Sequence, residues 1–202
     1  MLENKEHVLV VDIRTVGEYQ SGHLVGASHD VLDSTTLEKR VATIQNLLHD
    51  VASRYNFVLI DNDGSGAKKA AQAMTEMGIQ TFYLDGGMSK LSENLVSSSQ
   101  TVIDSEELMK KLTANDDLYL LDVRQPDELL ESKIDGAVNI PLTEIFQPHG
   151  MDSIPNDKPV VVICGSGNRA TIATYALAQE GISFQVLDGG MKAWNLQIQS
   201  GM

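Results

Sequence analysis

Leu120-Leu-Asp-Val-Arg124 repeats Val10-Val-Asp-Ile-Arg14, and the residues downstream of each copy decide the fold. Each copy runs on to a glutamate at the same spacing, Glu128 or Glu18, and then to Gly136-Ala137 or Gly26-Ala27. Farther along, Met77-Gly-Ile79 and Leu84-Asp-Gly-Gly-Met88 recur as Glu180-Gly-Ile182 and Leu187-Asp-Gly-Gly-Met191. The blocks lie farther apart in the first copy, which places its extra residues in the polar stretch around Asp30 to Thr36. A period of roughly one hundred residues is a domain length, too long for a solenoid unit. The repeat therefore implies two tandem domains, 1–95 and 102–202. The stretch from Ser92 to Thr101, rich in serine, reads as the linker between them.

Within each copy short apolar runs alternate with helical spacing. In the second, Asp104 with Glu107 three residues on reads as a helix start. Leu118 to Val123, Val160 to Ile163 and Phe184 to Leu187 read as buried strands, and Ala170 to Gln179 as a helix. The first copy offers Val8 to Val11, Phe57 to Ile60 and Thr81 to Leu84 as strands, without a counterpart to the helix at Asp104. Such alternation predicts an α/β fold, each domain a mainly parallel sheet flanked by helices on both faces.

The chain has 15 basic and 28 acidic side chains, a formal net charge of −13. That surface repels phosphate backbones and argues against nucleic acid as a partner. An anionic substrate would need a local positive field built against the global one. No apolar run is long enough to span a membrane. The first residues, MLENKEHVLVVD, lack a basic segment leading into an apolar stretch, so a cytoplasmic protein is expected. The single cysteine excludes an intramolecular disulfide, and the five histidines form no ligand pair at helical spacing. Neither a metal nor a cofactor is expected.

That cysteine is Cys164, which opens Cys164-Gly-Ser-Gly-Asn-Arg169 directly after the strand at Val160. Two glycines in a tight strand-to-helix loop let backbone N–H groups turn toward one point. The helix start adds its unpaired N–H groups and the positive end of its dipole. Together they make an anion cradle with a thiol at its rim, a field that favours thiolate. Arg169 would add a permanent positive charge. Composition alone favours an inert, buried thiol; the glycines, the arginine and the helix start favour a nucleophile.

These residues resemble a known family. Asp122-Val-Arg124, Asp135-Gly-Ala-Val-Asn-Ile-Pro141, Cys164 to Arg169 and Asp188-Gly-Gly-Met-Lys-Ala-Trp194, in that order, are similar to the motifs of a rhodanese domain. The resemblance covers 102–202 and extends more weakly over the first copy. It implies a sulfurtransferase in which Cys164 takes a sulfane sulfur from thiosulfate or a similar donor and holds it as a persulfide. Gly165, Ser166, Gly167, Asn168 and Arg169 would supply the cradle. The acceptor would be a thiol or cyanide, with a sulfur-relay protein as a further partner. Cys-Gly-Ser-Gly also resembles the mercaptopyruvate-using branch, but that branch continues with Val-Thr where this chain has Asn168-Arg169, so the donor stays open. Arg124 and Glu128 are expected to pair, Asp188-Gly-Gly to make a turn and helix start, and Trp194 and Met191 to pack.

In the first copy Asp61-Asn-Asp-Gly-Ser-Gly66 aligns with Cys164 to Arg169. Asp61 replaces the nucleophile and Gly66 the arginine, so this domain is expected to be inactive, with Asp61 and Asp63 repelling anions. A metal site at that pair rests on two carboxylates alone. Lys68 and Lys69 are read as solvated. Two alternatives stand beside sulfur transfer. A phosphatase or arsenate reductase of the same fold would carry one more residue between cysteine and arginine. The intact Cys164 and Arg169 argue against the other, a non-catalytic binding or sulfur-carrier module.

Overall fold

Repeated apolar runs alternating with amphipathic ones force parallel strands, because each crossover must carry a helix back over the sheet. The computed structural model describes residues 8–97 and 101–200, apart from the side chains of Ala52 and Ser53. The chain divides into two compact units, the first mainly residues up to Ser99 and the second mainly from Gln100 on.

The first unit runs β1 (Val8–Asp12), α1 (Val16–Ser21), β2 (His23–Leu24), β3 (Ala27–His29), α2 (Ser34–Leu47), α3 (His49–Arg54), β4 (Asn56–Ile60), α4 (Ser65–Glu76), β5 (Thr81–Tyr83) and β6 (Leu95–Val96). Its sheet has the order β3-β1-β4-β5, every pair parallel. The second unit runs β7 (Val102–Ile103), α5 (Ser105–Thr113), β8 (Tyr119–Asp122), β9 (Val138–Asn139), α6 (Leu142–Ile145), β10 (Val160–Ile163), α7 (Asn168–Gln179), β11 (Phe184–Leu187) and α8 (Gly190–Ser200). Its order is β7-β11-β10-β8-β9, again parallel throughout. The expected α/β architecture is present in both halves.

Position in the sheet explains the sequence pattern. Val160 to Ile163 are wholly buried because β10 lies between two strands and under two layers of helix. Ile103, Leu108, Val161, Ile163, Leu187, Met191 and Trp194 share one core cluster, so Trp194 and Met191 are packing residues as expected. The Asp104 carboxylate accepts the Glu107 N–H at 2.7 Å and fixes the start of α5.

The chain grows from β8 to β9 on one side and then returns to place β10 on the other. Where strand order reverses in this way, the crossover helices diverge and leave a crevice at the carboxyl ends of the two strands. Asp122 and Ile163 are register partners there, and the Val123 N–H reaches the Ile163 carbonyl at 2.9 Å. Cys164 is the next residue.

Two segments differ from expectation. The extra residues of the first copy sit where the chain enters α2, and neither α2 nor α3 has a helix of comparable length in the second copy. Asp33 caps α2 through Thr36, and Leu37, Val41 and Ile44 bury one face. The stretch read as linker contains β6, which pairs antiparallel with β2. Residues 98–100 of that stretch, and those ahead of Val8, lie outside the described residues.

Candidate active site

The loop after β10 is held from below by α8. The Met191 N–H donates to the Cys164 carbonyl at 2.8 Å, and the Lys192 N–H to the Gly165 carbonyl at 3.1 Å. This docking needs Gly190, which has φ +57; a Cβ there would stand 2.8 Å from the Ser166 nitrogen and collide with the Cys164 carbonyl. The first copy is built alike. Met88 and Ser89 donate to the carbonyls of Asp61 and Asn62 at 2.8 and 3.0 Å, and Gly87 has φ +55. The paired glycines therefore do more than make a turn: they let helix and loop backbones touch.

At the head of α7 the Gly167 N–H points at Cys164 Sγ, 3.1 Å away. Only 1 % of Cys164 is exposed, while the Ser166 side chain lies outside and Gly165, Asn168 and Arg169 are half-buried. All six predicted residues thus sit on one strand-loop-helix turn.

The Arg169 guanidinium does not stand free, as the sequence suggested. Nη1 and Nη2 donate to Oε2 and Oε1 of Glu128 at 2.5 and 2.7 Å, a two-bond fork. The guanidinium also lies over the loop, with Nη2 3.2 Å from where a Cβ of Gly165 would be. The expected Arg124–Glu128 pair is accordingly absent. Arg124 turns back on Asp122 through Nε at 3.0 Å and Nη2 at 2.7 Å, and touches Glu128 only at its main-chain carbonyl. The first copy behaves alike: Arg14 binds Asp12 through Nη2 at 2.6 Å although Glu18 lies on the α-helix α1. In both copies the arginine stands ahead of the helical turn, so the i,i+4 spacing does not apply, and the buried aspartate at the strand end takes the guanidinium.

Arg169 draws the Glu128 carboxyl down to about 2, helped by the Gln125 N–H and opposed by burial. A depressed carboxyl stabilises the fold above its ordinary range near 4.5 and loses that contribution as pH falls toward about 2. Wild type is therefore expected to outlast Glu128→Gln in urea at neutral pH, with the difference in midpoint closing across that acid window. A pH-independent difference would contradict the ion pair.

The first copy shows the same turn with neither the cysteine nor the arginine. The Asp61 carboxylate does not face outward to repel anions; it folds into its own loop. It accepts the N–H groups of Gly64 at 2.5 Å, Gly66 at 2.6 Å and Ala67 at 3.0 Å. The cradle is intact and filled. A Cβ on Gly66 would lie 2.9 Å from Asp61 Oδ2, so the aspartate and the missing arginine belong together. Without an arginine, Glu18 takes the Asn62 amide at 2.7 Å. Among the described residues no group of three or more His, Cys, Asp or Glu is placed to hold a metal ion, and no helix is long and apolar enough to cross a membrane. Lys68 and Lys69 are exposed.

Comparison with known proteins agrees with this duplicated geometry. The family model described as the Rhodanese-like domain matches residues 1–94 and again 104–197. A Bacillus subtilis protein provisionally named a sulfurtransferase, YtwF, is 37% identical over 92 residues, covering 46% of this chain and 87% of its own. A protein of Allochromatium vinosum named sulfurtransferase is 39% identical over 93 residues, covering 46% of this chain and 85% of its own. The crystal structure of a rhodanese-related protein from Thermoplasma volcanium is 31% identical, with a TM-score of 0.43, covering 48% of this chain and 91% of its own.

Proposed function

The chain belongs to the rhodanese-like domain family, and from that premise we propose that its second domain is a sulfurtransferase working through a Cys164 persulfide. The observation that carries the reading is the Gly167 N–H aimed at Cys164 Sγ at the head of α7. The names of the two relatives above support sulfur transfer as the class of reaction.

The Cys164 thiolate attacks the sulfane sulfur of a donor such as thiosulfate. A new S–S bond forms, the donor's S–S bond breaks, and sulfite leaves with the electron pair. Cyanide or a thiolate then attacks the terminal sulfur, leaves as thiocyanate or a hydropersulfide, and returns Cys164 as thiolate. The first copy supports a place for that terminal sulfur. Asp61 carries its negative oxygens two bonds from Cβ, as a persulfide carries its terminal sulfur, and they rest on the amides of Gly64, Gly66 and Ala67. The corresponding amides are those of Gly167, Arg169 and Ala170. Gly165, Ser166 and Asn168 complete the turn that aims them. The first domain, with Asp61 in its cradle, takes no sulfur.

The test is to incubate protein with thiosulfate or mercaptopyruvate, add cyanide and measure thiocyanate. Cys164→Ser is expected to lower turnover roughly a thousandfold or more, because no other side chain here forms the intermediate. Turnover that survives, or intact-mass spectra without a sulfur adduct on wild type, would remove the proposal.

A further inference from the structure

The loop that should attract an anion has its one charged side chain already bound. Within Cys164 to Arg169 the one side chain with a permanent charge is that of Arg169. Both outer nitrogens of its fork face the two oxygens of Glu128. We propose that Glu128 determines which sulfur donor the site accepts, favouring sulfane sulfur on groups of low charge, such as hydropersulfides, over the thiosulfate dianion. This inference rests on the sulfur-transfer reading above and narrows its substrate class.

The argument is electrostatic. Glu128 and Arg169 together contribute no net charge, and neither do Asp122 and Arg124 beside them. The field left at Sγ comes from backbone amides and the start of α7, equivalent to about half a positive charge. That field suits a thiolate or a persulfide anion, and a dianion brings more charge than it can balance. The side chains of Arg169 and Glu128 are 22% and 33% exposed, so solvent screens this neighbourhood only in part. Lys192 projects from the first turn of α8, but its side chain is exposed and strongly screened. The chain's net charge of −13 acts on a dianion twice as strongly as on a monoanion.

Glu128 is also hard to displace. Its Oε2 accepts the Gln125 N–H at 3.0 Å as part of the turn that precedes it. Its counterpart Glu18 keeps the same main-chain bond, to Thr15 at 3.0 Å, although its partner across the loop is the neutral Asn62 amide and no arginine. The carboxylate is therefore set by its own turn, and a dianion competing for Arg169 would meet a fixed negative charge.

The experiment compares wild type and Glu128→Gln, measuring the rate of sulfur loading on Cys164 by intact mass with two donors. One is thiosulfate; the other is the hydropersulfide of 2-mercaptoethanol, at most a monoanion. Glutamine keeps an acceptor for Arg169 and removes the charge. The ratio of thiosulfate to hydropersulfide loading is expected to rise about tenfold, with a steeper salt dependence for thiosulfate in wild type than in the variant. Both rates come from one sample, so the ratio does not depend on how much of the variant is folded. An unchanged ratio, whether both rates stay or fall together, overturns the role of Glu128 and leaves sulfur transfer standing. No adduct on wild type with either donor removes the sulfur-transfer reading and this inference with it.

Discussion

Gly190→Ala is expected to destabilise the second domain by roughly 3–5 kcal/mol and to slow sulfur loading at Cys164 by at least about tenfold. Two separate costs coincide at this position. A φ of +57 strains any L side chain, and the new methyl would press on the backbone of Cys164, Gly165 and Ser166. The loop can relieve the contact only by lifting from α8, which breaks the bonds from Met191 and Lys192 and turns the Gly167 N–H away from Sγ. Trp194 lies one turn farther along α8 and is the chain's sole tryptophan, so its fluorescence in denaturant reports the loss. Gly87→Ala is the internal control. It meets the same clash with the Asp61 loop, and is expected to lower stability while sparing the loading of Cys164. An unchanged Trp194 transition in Gly190→Ala would show that loop and helix need not touch.

The reach of the sequence depends on which interactions are local. Val160 to Ile163 can be read as a buried strand because four consecutive apolar residues leave no face for water. The tandem plan is equally plain, because Asp-Val-Arg and Asp-Gly-Gly-Met recur in order. Residues Leu37, Val41 and Ile44 carry a helical period, but comparison of one copy with the other gives them no counterpart, and α2 is missed. The partner of Arg169 lies beyond local pattern altogether, 41 residues away in sequence. Spacing assigns Glu128 to Arg124, but in both copies the arginine precedes the helical turn and folds back on the aspartate that ends the strand. A signal is present all the same. Glu18 and Glu128 repeat at equal spacing whether or not the loop has an arginine, which points to a role in the turn itself. The identity of Asp61 shows that a thiol is missing there; its direction, into its own amides, depends on backbone geometry that composition does not encode.

Asp122→Ala is expected to cost the second domain roughly 3–5 kcal/mol, the range for a buried charge stripped of its partner. Asp122 is 0% and Arg124 4% exposed, and four hydrogen bonds join the arginine to that carboxylate. With the carboxylate gone, the guanidinium retains carbonyls only, of Ser132 at 2.8 Å and Glu128 at 3.4 Å. Adding Arg124→Met removes the stranded charge, so the double variant is expected to regain most of the stability. Donor selectivity should not return with it. Through those two carbonyls Arg124 holds the segment that carries Glu128, and Glu128 holds Arg169 over the Cys164 loop. A stable double variant should therefore have lost the donor selectivity assigned to Glu128, with its ratio of thiosulfate to hydropersulfide loading moved toward that of Glu128→Gln. If stability and selectivity return together, the ion pair at the end of β8 is scaffolding alone, and the chain of contacts from Asp122 to the Cys164 loop carries no positional information.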